Sequence, residues 1–289
     1  MLLLPNIDPL VEPSEAVEAI RQAFFKEAKF LPRQALTVGD VWFAPMVGYM
    51  AEVGIAVKLV GIYPRAEPKV KALVLVFDQV TGSPIALING TQLTAWRTAA
   101  ASGVAAVAMG VEPREVGVIG AGVQAEHHVK VFKRLYPSAR FKIYHPSTEK
   151  AEAVAKKLGA SSASLDEVLK SDLVIAATTS TSPVVRGREL RAGSAVISIG
   201  APRPVRELDD EVKKRAGCML VDNPHAVEET DDVGDRWVYI GDYLKGSSCK
   251  FGEIKVYKSV GNPLYDAAFA HYVVEKAKSM GIGVEVRWD

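Results

Sequence analysis

The segment Gly117-Val118-Ile119-Gly120-Ala121-Gly122-Val123-Gln124-Ala125 spaces three small residues so that a backbone can lie against a phosphate. The apolar run Val116–Ile119 precedes its turn, and a helical pattern to about Leu135 follows. Gly120 lets the chain turn tightly, Gly122 leaves room for a pyrophosphate at the helix N-terminus, and Ala125 takes the third small position, where helix meets strand. A bare Gly-x-Gly-x-x-Ala is weak evidence, because glycines also occur incidentally in strand–helix turns. Strand and helix on the correct sides make the dinucleotide reading the stronger one.

A dinucleotide site also reads the end of its second strand, where an acidic residue holds a ribose 2′-hydroxyl. The run here is Tyr144-His145-Pro146-Ser147-Thr148-Glu149-Lys150. His145 takes the acid's place, with Ser147, Thr148 and Lys150 behind it. No carboxylate stands there to repel a 2′-phosphate, so NADP is expected to be preferred. Glu149, one helix position too late, keeps NAD open. The same residues also suit a helix cap, which is compatible with either cofactor.

Two basic residues sit where a free charge is costly. Lys58 lies inside Ile55-Ala56-Val57-Lys58-Leu59-Val60, and Arg97 heads an alanine-rich helix. A buried ammonium needs a partner.

The elements that would position these groups fall into two sets. Pro13-Ser14-Glu15 starts a helix with Val17, Ile20 and Phe24 on one face. Extended segments follow at Gln34–Val38, Val41–Pro45, Ile55–Val60, Val70–Phe77 and Ile85–Ile88, and read as a meander. Thr94–Met109 is helical and Gly110 ends it. From Val116 strands alternate with helices: strands at Val116–Ile119, Phe141–Tyr144, Leu173–Ala177, Ala195–Ile199 and Met219–Val221, with a helix at Thr148–Leu158. That alternation implies a parallel, doubly wound sheet. The fold class expected is α/β, a Rossmann domain over 114–258 plus an α+β domain over 1–113 to which 259–289, with a final helix Pro263–Met280, returns.

The chain has 289 residues, is 48% hydrophobic and carries a net charge of +1. Neither nucleic acid nor a membrane surface is an expected partner. Met1-Leu2-Leu3-Leu4-Pro5 has no basic lead, and the longest apolar stretch, Ala99–Met109, is too short to span a bilayer. Cys218 and Cys249 form no disulfide framework by number and are expected to be buried, inert thiols in a cytoplasmic protein. Few amides and many charges lean toward a thermophilic source. His127 and His128 are read as surface or packing residues. No metal is expected: His225 with Glu228, Glu229, Asp231, Asp232 and Asp235 lacks ligand spacing and reads as a solvated loop.

Over nearly its whole length the chain resembles the ornithine cyclodeaminase/μ-crystallin family. The resemblance rests on Leu31-Pro32-Arg33, Val57-Lys58-Leu59, Thr81-Gly82-Ser83-Pro84, Trp96-Arg97-Thr98-Ala99-Ala100 and the glycine turn. Ser198-Ile199-Gly200-Ala201, Arg206-Glu207-Leu208-Asp209 and Lys258-Ser259-Val260-Gly261 extend it. Arg-Thr-Ala-Ala ahead of Gly-x-Gly-x-Gln is its most specific part. The family contains ornithine cyclodeaminases, alanine dehydrogenases, ketimine reductases and a cofactor-binding lens protein, and it implies a homodimer formed through the first domain. It implies that Arg33, Lys58 and Arg97 hold a substrate carboxylate, Lys58 and Arg97 being the catalytic pair. Each could instead face solvent or make a structural salt bridge. Lys69 stands beside the substrate position, where relatives often carry threonine. Cofactor contacts are implied at Thr98, Gly120, Gly122, Val123, Gln124, His145, Ser147, Thr148, Thr178, Ile199, Gly200, Ser259 and Gly261.

One departure bears on the reaction. Cyclodeaminases place a catalytic aspartate after the Gly-Ala that ends a Rossmann strand. Here Gly200-Ala201-Pro202 puts a proline there, which cannot act as a base. The expected function is therefore an NAD(P)-dependent oxidoreductase on a C–N bond, reducing a ketimine carboxylate such as Δ1-pyrroline-2-carboxylate. Alanine or another amino-acid dehydrogenase, ornithine cyclodeaminase and a non-catalytic NADP-binding protein are the alternatives.

Overall fold

A computed structural model describes residues 1–288. In chain order it contains β1 (Leu2–Leu4), α1 (Pro13–Ala23), β2 (Ala28–Phe30), β3 (Leu36–Val38), β4 (Val41–Met50), β5 (Gly54–Ile62), β6 (Val70–Phe77), β7 (Pro84–Asn89) and α2 (Gly90–Ala108). There follow β8 (Glu115–Ile119), α3 (Val123–Leu135), β9 (Arg140–Tyr144), α4 (Thr148–Leu158), β10 (Ser161–Ser162), α5 (Leu165–Leu169), β11 (Leu173–Ala176) and β12 (Ala195–Ser198). The last are α6 (Asp210–Ala216), β13 (Met219–Val221), α7 (Ala226–Glu229), β14 (Trp237–Tyr239), α8 (Ile240–Leu244), β15 (Lys255–Lys258), α9 (Pro263–Met280) and β16 (Val284–Glu285). The chain divides into two compact units, Met1–Ala101 with the segment from Asn262 onward, and Ser102–Gly261.

The first unit is built on one sheet in the order β16-β1-β7-β6-β5-β4-β2, with β3 also on β4. Strands β4 to β7 form the antiparallel meander, and β1 adds to β7 in parallel. Side chains alternate between faces with period two. One face buries Ala44, Met46, Ala56, Lys58, Val60, Val74 and Ile88. Helix α9 packs on that side against β4 and β5, and it is buried all round along its first half. Gly48 makes the close approach possible: a Cβ there would stand 2.8 Å from the Pro263 carbonyl oxygen. The opposite face carries the paired row Val47, Val57, Leu75 and Leu87, all half-buried, with Ile55 and Leu73 exposed. Helix α2 begins at Gly90, earlier than expected, because the Asn89 side chain accepts from the amides of Thr91 and Gln92, both at 3.1 Å.

The second unit is an eight-stranded sheet in the order β10-β9-β8-β11-β12-β15-β13-β14, parallel throughout. This is a Rossmann sheet. Its strand order reverses between β8 and β11, where such sheets take their ligands. Three of its strands escape the pattern of the sequence. Ser161–Ser162 and Trp237–Tyr239 are too short to show a period, and Lys255-Val256-Tyr257-Lys258 has charged ends although it lies inside the sheet, between β12 and β13.

The expectation of two free, inert thiols is overturned, because Cys218 and Cys249 form a disulfide. Cys218 directly precedes β13 and Cys249 lies in the loop leading to β15. Those strands are neighbours, so the sheet joins loop ends that stand 31 residues apart in sequence. Among the described residues no helix is long and apolar enough to cross a membrane.

Candidate functional site

The glycine turn lies at the switch point of the parallel sheet. Gly120 has φ +125°, and a Cβ on it would stand 2.5 Å from the Ala177 carbonyl oxygen, so only glycine fits between β8 and β11. A Cβ on Gly122 would meet nothing within 4 Å, and Gly122 caps the N-terminus of α3. Open space above a helix N-terminus, where amide groups lack intrahelical partners, fits a pyrophosphate. Val123 is exposed at the start of α3, and the Gln124 carbonyl accepts from His128 Nδ1 at 2.7 Å. His127 and His128 are packing residues. Burial holds His128 down to about 4, so it is neutral.

His145 stands half-buried just past β9, and its Nδ1 accepts from the Ser147 amide at 3.0 Å. A neutral ring with that nitrogen occupied carries its proton on Nε2, which leaves Nε2–H as a donor. Ser147 caps α4 by accepting from the Lys150 amide, and Thr148 is exposed in the first turn.

At the carboxyl ends of β11, β12 and β15 lies a buried polar network whose charged members, Glu207, Lys258 and Asp232, were not among the expected site residues. Glu207 is fully buried and accepts from Thr178 N at 2.6 Å, Thr178 Oγ1 at 2.9 Å, Ser198 Oγ at 2.7 Å and Gly200 N at 2.8 Å. Burial pushes its carboxyl up from the ordinary range, against the opposing pull of Lys258 and of its donors. Lys258 donates to Ser198 Oγ at 3.0 Å, Gly200 O at 3.2 Å and Asp232 Oδ2 at 2.9 Å. Asp232, read from sequence as part of a solvated loop, is fully buried and also accepts from the amides of Glu207 and Leu208. Its neighbours Glu228, Asp231 and Asp235 are exposed as expected. The network fixes Thr178 and Gly200, while Ile199 continues the strand end by bonding its amide to Ala176 O. Ser259 Oγ and the Gly261 amide both donate to Asp222 Oδ2 at 2.7 Å.

In the first unit Lys58 and Arg97 converge on one acid that the sequence reading did not single out. Lys58 Nζ donates to Asp266 Oδ1 at 3.0 Å and lies 2.8 Å from Oδ2, while Arg97 Nε donates to Oδ1 at 2.9 Å. The side chains are 1%, 5% and 2% exposed for Lys58, Arg97 and Asp266. Arg97 spends only Nε: among the described residues its two Nη groups have no partner. The Arg33 guanidinium lies 5.8 Å over the Trp42 ring and its charge reaches Lys58. Burial first, then Arg97, lowers the Lys58 ammonium to about 7, with Asp266 opposing. Lys69 does not join; it is exposed just before β6. Thr98 turns its hydroxyl to the Thr94 carbonyl at 2.7 Å. A surface groove along α1 and α9, lined in part by Gln22, Lys26, His271 and Glu275, contains none of these residues.

Residues 3–281 match the model of the ornithine cyclodeaminase/mu-crystallin family. The chain belongs to that family. Family relatives include the ketimine reductase mu-crystallin of Rattus norvegicus, 31% identical over 79% of this chain and 78% of the relative. Among solved family structures, the Δ1-pyrroline-2-carboxylate reductase of Thermococcus litoralis, in complex with NADH and L-proline, is 30% identical with a TM-score of 0.90, covering 99% of this chain and 100% of that one. An archaeal alanine dehydrogenase dimer with bound NAD is 25% identical with a TM-score of 0.89, covering 100% and 99%. Pro202, which follows Gly200-Ala201, is half-buried, and the turn Gly200–Pro202 holds no carboxylate.

Proposed function

We propose that the chain is an NAD(P)-dependent reductase of cyclic ketimine carboxylates, with Δ1-pyrroline-2-carboxylate as the preferred substrate. The observation that carries the reading is Arg97, buried, fixed by Nε alone and with both Nη groups unpartnered among the described residues. Lys58 and Arg97 set two positive charges against one carboxylate, with Arg33 adding a third nearby. Such a site is completed by an anion, and a planar guanidinium takes a carboxylate in a bidentate grip.

Gly120, Gly122, Val123, Gln124, His145, Ser147 and Thr148 would hold the adenosine and pyrophosphate half of a dinucleotide. Thr178, Ile199, Gly200, Ser259 and Gly261 would hold the nicotinamide half. The bound nicotinamide supplies or accepts a hydride. Lys58 and Arg97 fix the substrate's carboxylate, and with it the adjacent carbon of the C=N bond. A protonated imine is already electrophilic, so its reduction asks the protein for orientation more than for a strong acid. That suits a site with Pro202 in place of the aspartate, whereas a cyclodeaminase must also deprotonate an attacking amine.

Relatives that reduce ketimines support the reading, and the half-exposed apolar face of the first sheet supports a homodimer formed through it. Reduced nicotinamide is an intracellular reagent, so the reading implies a cytoplasmic protein. The Cys218–Cys249 disulfide suits that compartment in hyperthermophiles, whose intracellular proteins are disulfide-rich. The test is absorbance at 340 nm with NADPH or NADH against Δ1-pyrroline-2-carboxylate, pyruvate plus ammonia, and ornithine. Ammonia-independent oxidation with the cyclic imine is expected. Turnover only with pyruvate and ammonia, or ammonia release from ornithine without net cofactor change, would replace the reading with dehydrogenase or lyase.

A further inference from the structure

We propose that Asp266 is the positioning residue of the carboxylate site, holding Lys58 and Arg97 in one geometry and turning the free edge of the guanidinium toward the substrate. The inference rests on the functional reading above and adds to it a residue that makes no bond to the substrate itself.

Asp266 owes its place to the first turn of α9. Asn262 caps the helix through its side chain on the Leu264 amide at 2.9 Å, and Pro263 opens the first turn. Gly48 lets that turn press against β4. Asp266 is thereby set above Lys58, whose Cα pairs with Met46 in β4 and Val74 in β6. The N-terminal end of a helix favours a carboxylate. Asp266 Oδ1 then takes one bond from a strand and one from a helix, from residues 208 and 169 positions away.

A guanidinium offers a carboxylate either its Nε–Nη side or its Nη–Nη end. Asp266 occupies Nε, so the Nη–Nη end is what remains for a ligand. The same oxygen sets the spacing of the Lys58 ammonium from that end. As a purely structural device the triad makes little sense. Three buried charges cost more solvation than their attraction reliably returns, and well-packed apolar residues often stabilise as much or more. Its excess positive charge and unfilled donors are what a carboxylate would complete.

The experiment compares Asp266→Asn and Asp266→Glu with Lys58→Met, Arg97→Ala and the parent protein. Five quantities are measured on each: KM and kcat for the imine, affinity for NADPH, melting temperature, and the pH dependence of 1/KM. Asp266→Asn should raise KM at least about tenfold, the loss expected for a hydrogen bond to a charged group. NADPH affinity should stay within about twofold. The fall of 1/KM with rising pH should move to lower pH by about one unit or more, because the carboxylate that supports the Lys58 charge is gone. Asp266→Glu keeps the charge but displaces it, so KM should rise while the inflection stays near that of the parent. A purely structural role would lower the melting temperature and leave KM and the inflection where they were, and that result overturns the proposal. If Asp266→Asn does not fold, Lys58→Met/Asp266→Asn removes one charge of each sign. Its kcat/KM should fall below that of Lys58→Met alone, because Arg97 has lost its anchor, and equality of the two overturns the proposal. Impaired Lys58→Met and Arg97→Ala beside an unimpaired Asp266→Asn removes Asp266 alone. Normal kinetics in those two removes the carboxylate site itself.

Discussion

Lys58 Nζ lies 2.8 Å from Asp266 Oδ2, with both side chains almost wholly buried, yet the ammonium titrates at about 7. Burial outweighs the ion pair, and Arg97 adds to the burial. A ligand carboxylate favours the charged form, so its affinity should be greatest below pH 7 and weaken by up to about tenfold per unit above it. Binding near pH 8 should take up a proton. Calorimetry with pyrrole-2-carboxylate, whose ring nitrogen does not titrate in this range, in two buffers of different ionisation enthalpy reads this directly. Binding with no proton uptake between pH 7 and 9 would contradict it. The same group gives stability a slope: between about 7 and 10.5 the unfolded chain holds a proton that the folded chain lacks, so this contribution to stability rises with pH across that window.

Removing either cation tests the substrate grip. Lys58→Met keeps the stem and deletes the charge, and Arg97→Ala deletes the fork. Loss of one partner of a buried charge pair costs roughly 2–5 kcal/mol, a fall in kcat/KM of about thirtyfold to several thousandfold. Arg97→Lys should not restore the rate, because an ammonium cannot offer two parallel donors. Cofactor affinity should hold within a few fold. Unchanged kcat/KM in both variants, with only the melting temperature lowered, would make the triad a structural salt bridge.

The glycine turn, the meander and the two buried cations were legible in the sequence because each shows a local signal: a motif in context, a period of two, a charge among apolar neighbours. Their partners were not. Asp266 looks like an ordinary first-turn acid of α9 until folding sets it over β5. Asp232 sits among five other polar or acidic residues between Val227 and Arg236, and only the sheet reveals that it alone of the acids is fully buried, against Lys258. Glu207 lay within a recognised motif, but its four donors come from the ends of two strands and a loop. The Cys218–Cys249 pair is hidden in the same way, since the proximity belongs to β13 and β15 and not to the local sequence.

The open face of the first sheet sets a test of assembly. Val57 and Leu75 are cross-strand partners in the half-exposed apolar row. Leu75→Glu should convert a dimer to monomer by light scattering at micromolar concentration, because a carboxylate pressed into an apolar interface is costly. A parent protein that is already monomeric at that concentration would remove the proposed interface.

Reduction of Cys218–Cys249 should destabilise the second unit. A cross-link closing a loop of 31 residues contributes about 3–4 kcal/mol on loop-closure grounds, on the order of ten degrees in melting temperature. The Cys218→Ser/Cys249→Ser variant should show the same loss with and without reductant, and the parent only with it. Equal melting temperatures for the reduced and oxidised parent would remove the cross-link's contribution.

His145 decides the last prediction. Its Nδ1 is occupied by the Ser147 amide, which leaves Nε2–H as the donor at the end of β9. A donor there suits a 2′-phosphate, whereas an acid would repel it and hold a 2′-hydroxyl. NADPH should therefore bind more tightly than NADH, although NADH and NAD are the cofactors seen with the two solved relatives. His145→Asp should reverse the order by adding a carboxylate where the phosphate would lie. Both the backbone bond from Ser147 and the cap of α4 can survive the change, since aspartate also accepts from an amide two residues on. Fluorescence titration of both nucleotides against both proteins is the measurement. A tenfold preference of the parent for NADH, about 1.4 kcal/mol, would assign the ribose contact to another residue. Glu149 is then the first to replace, because it is the nearest carboxylate in the sequence and lies exposed in the first turn of α4.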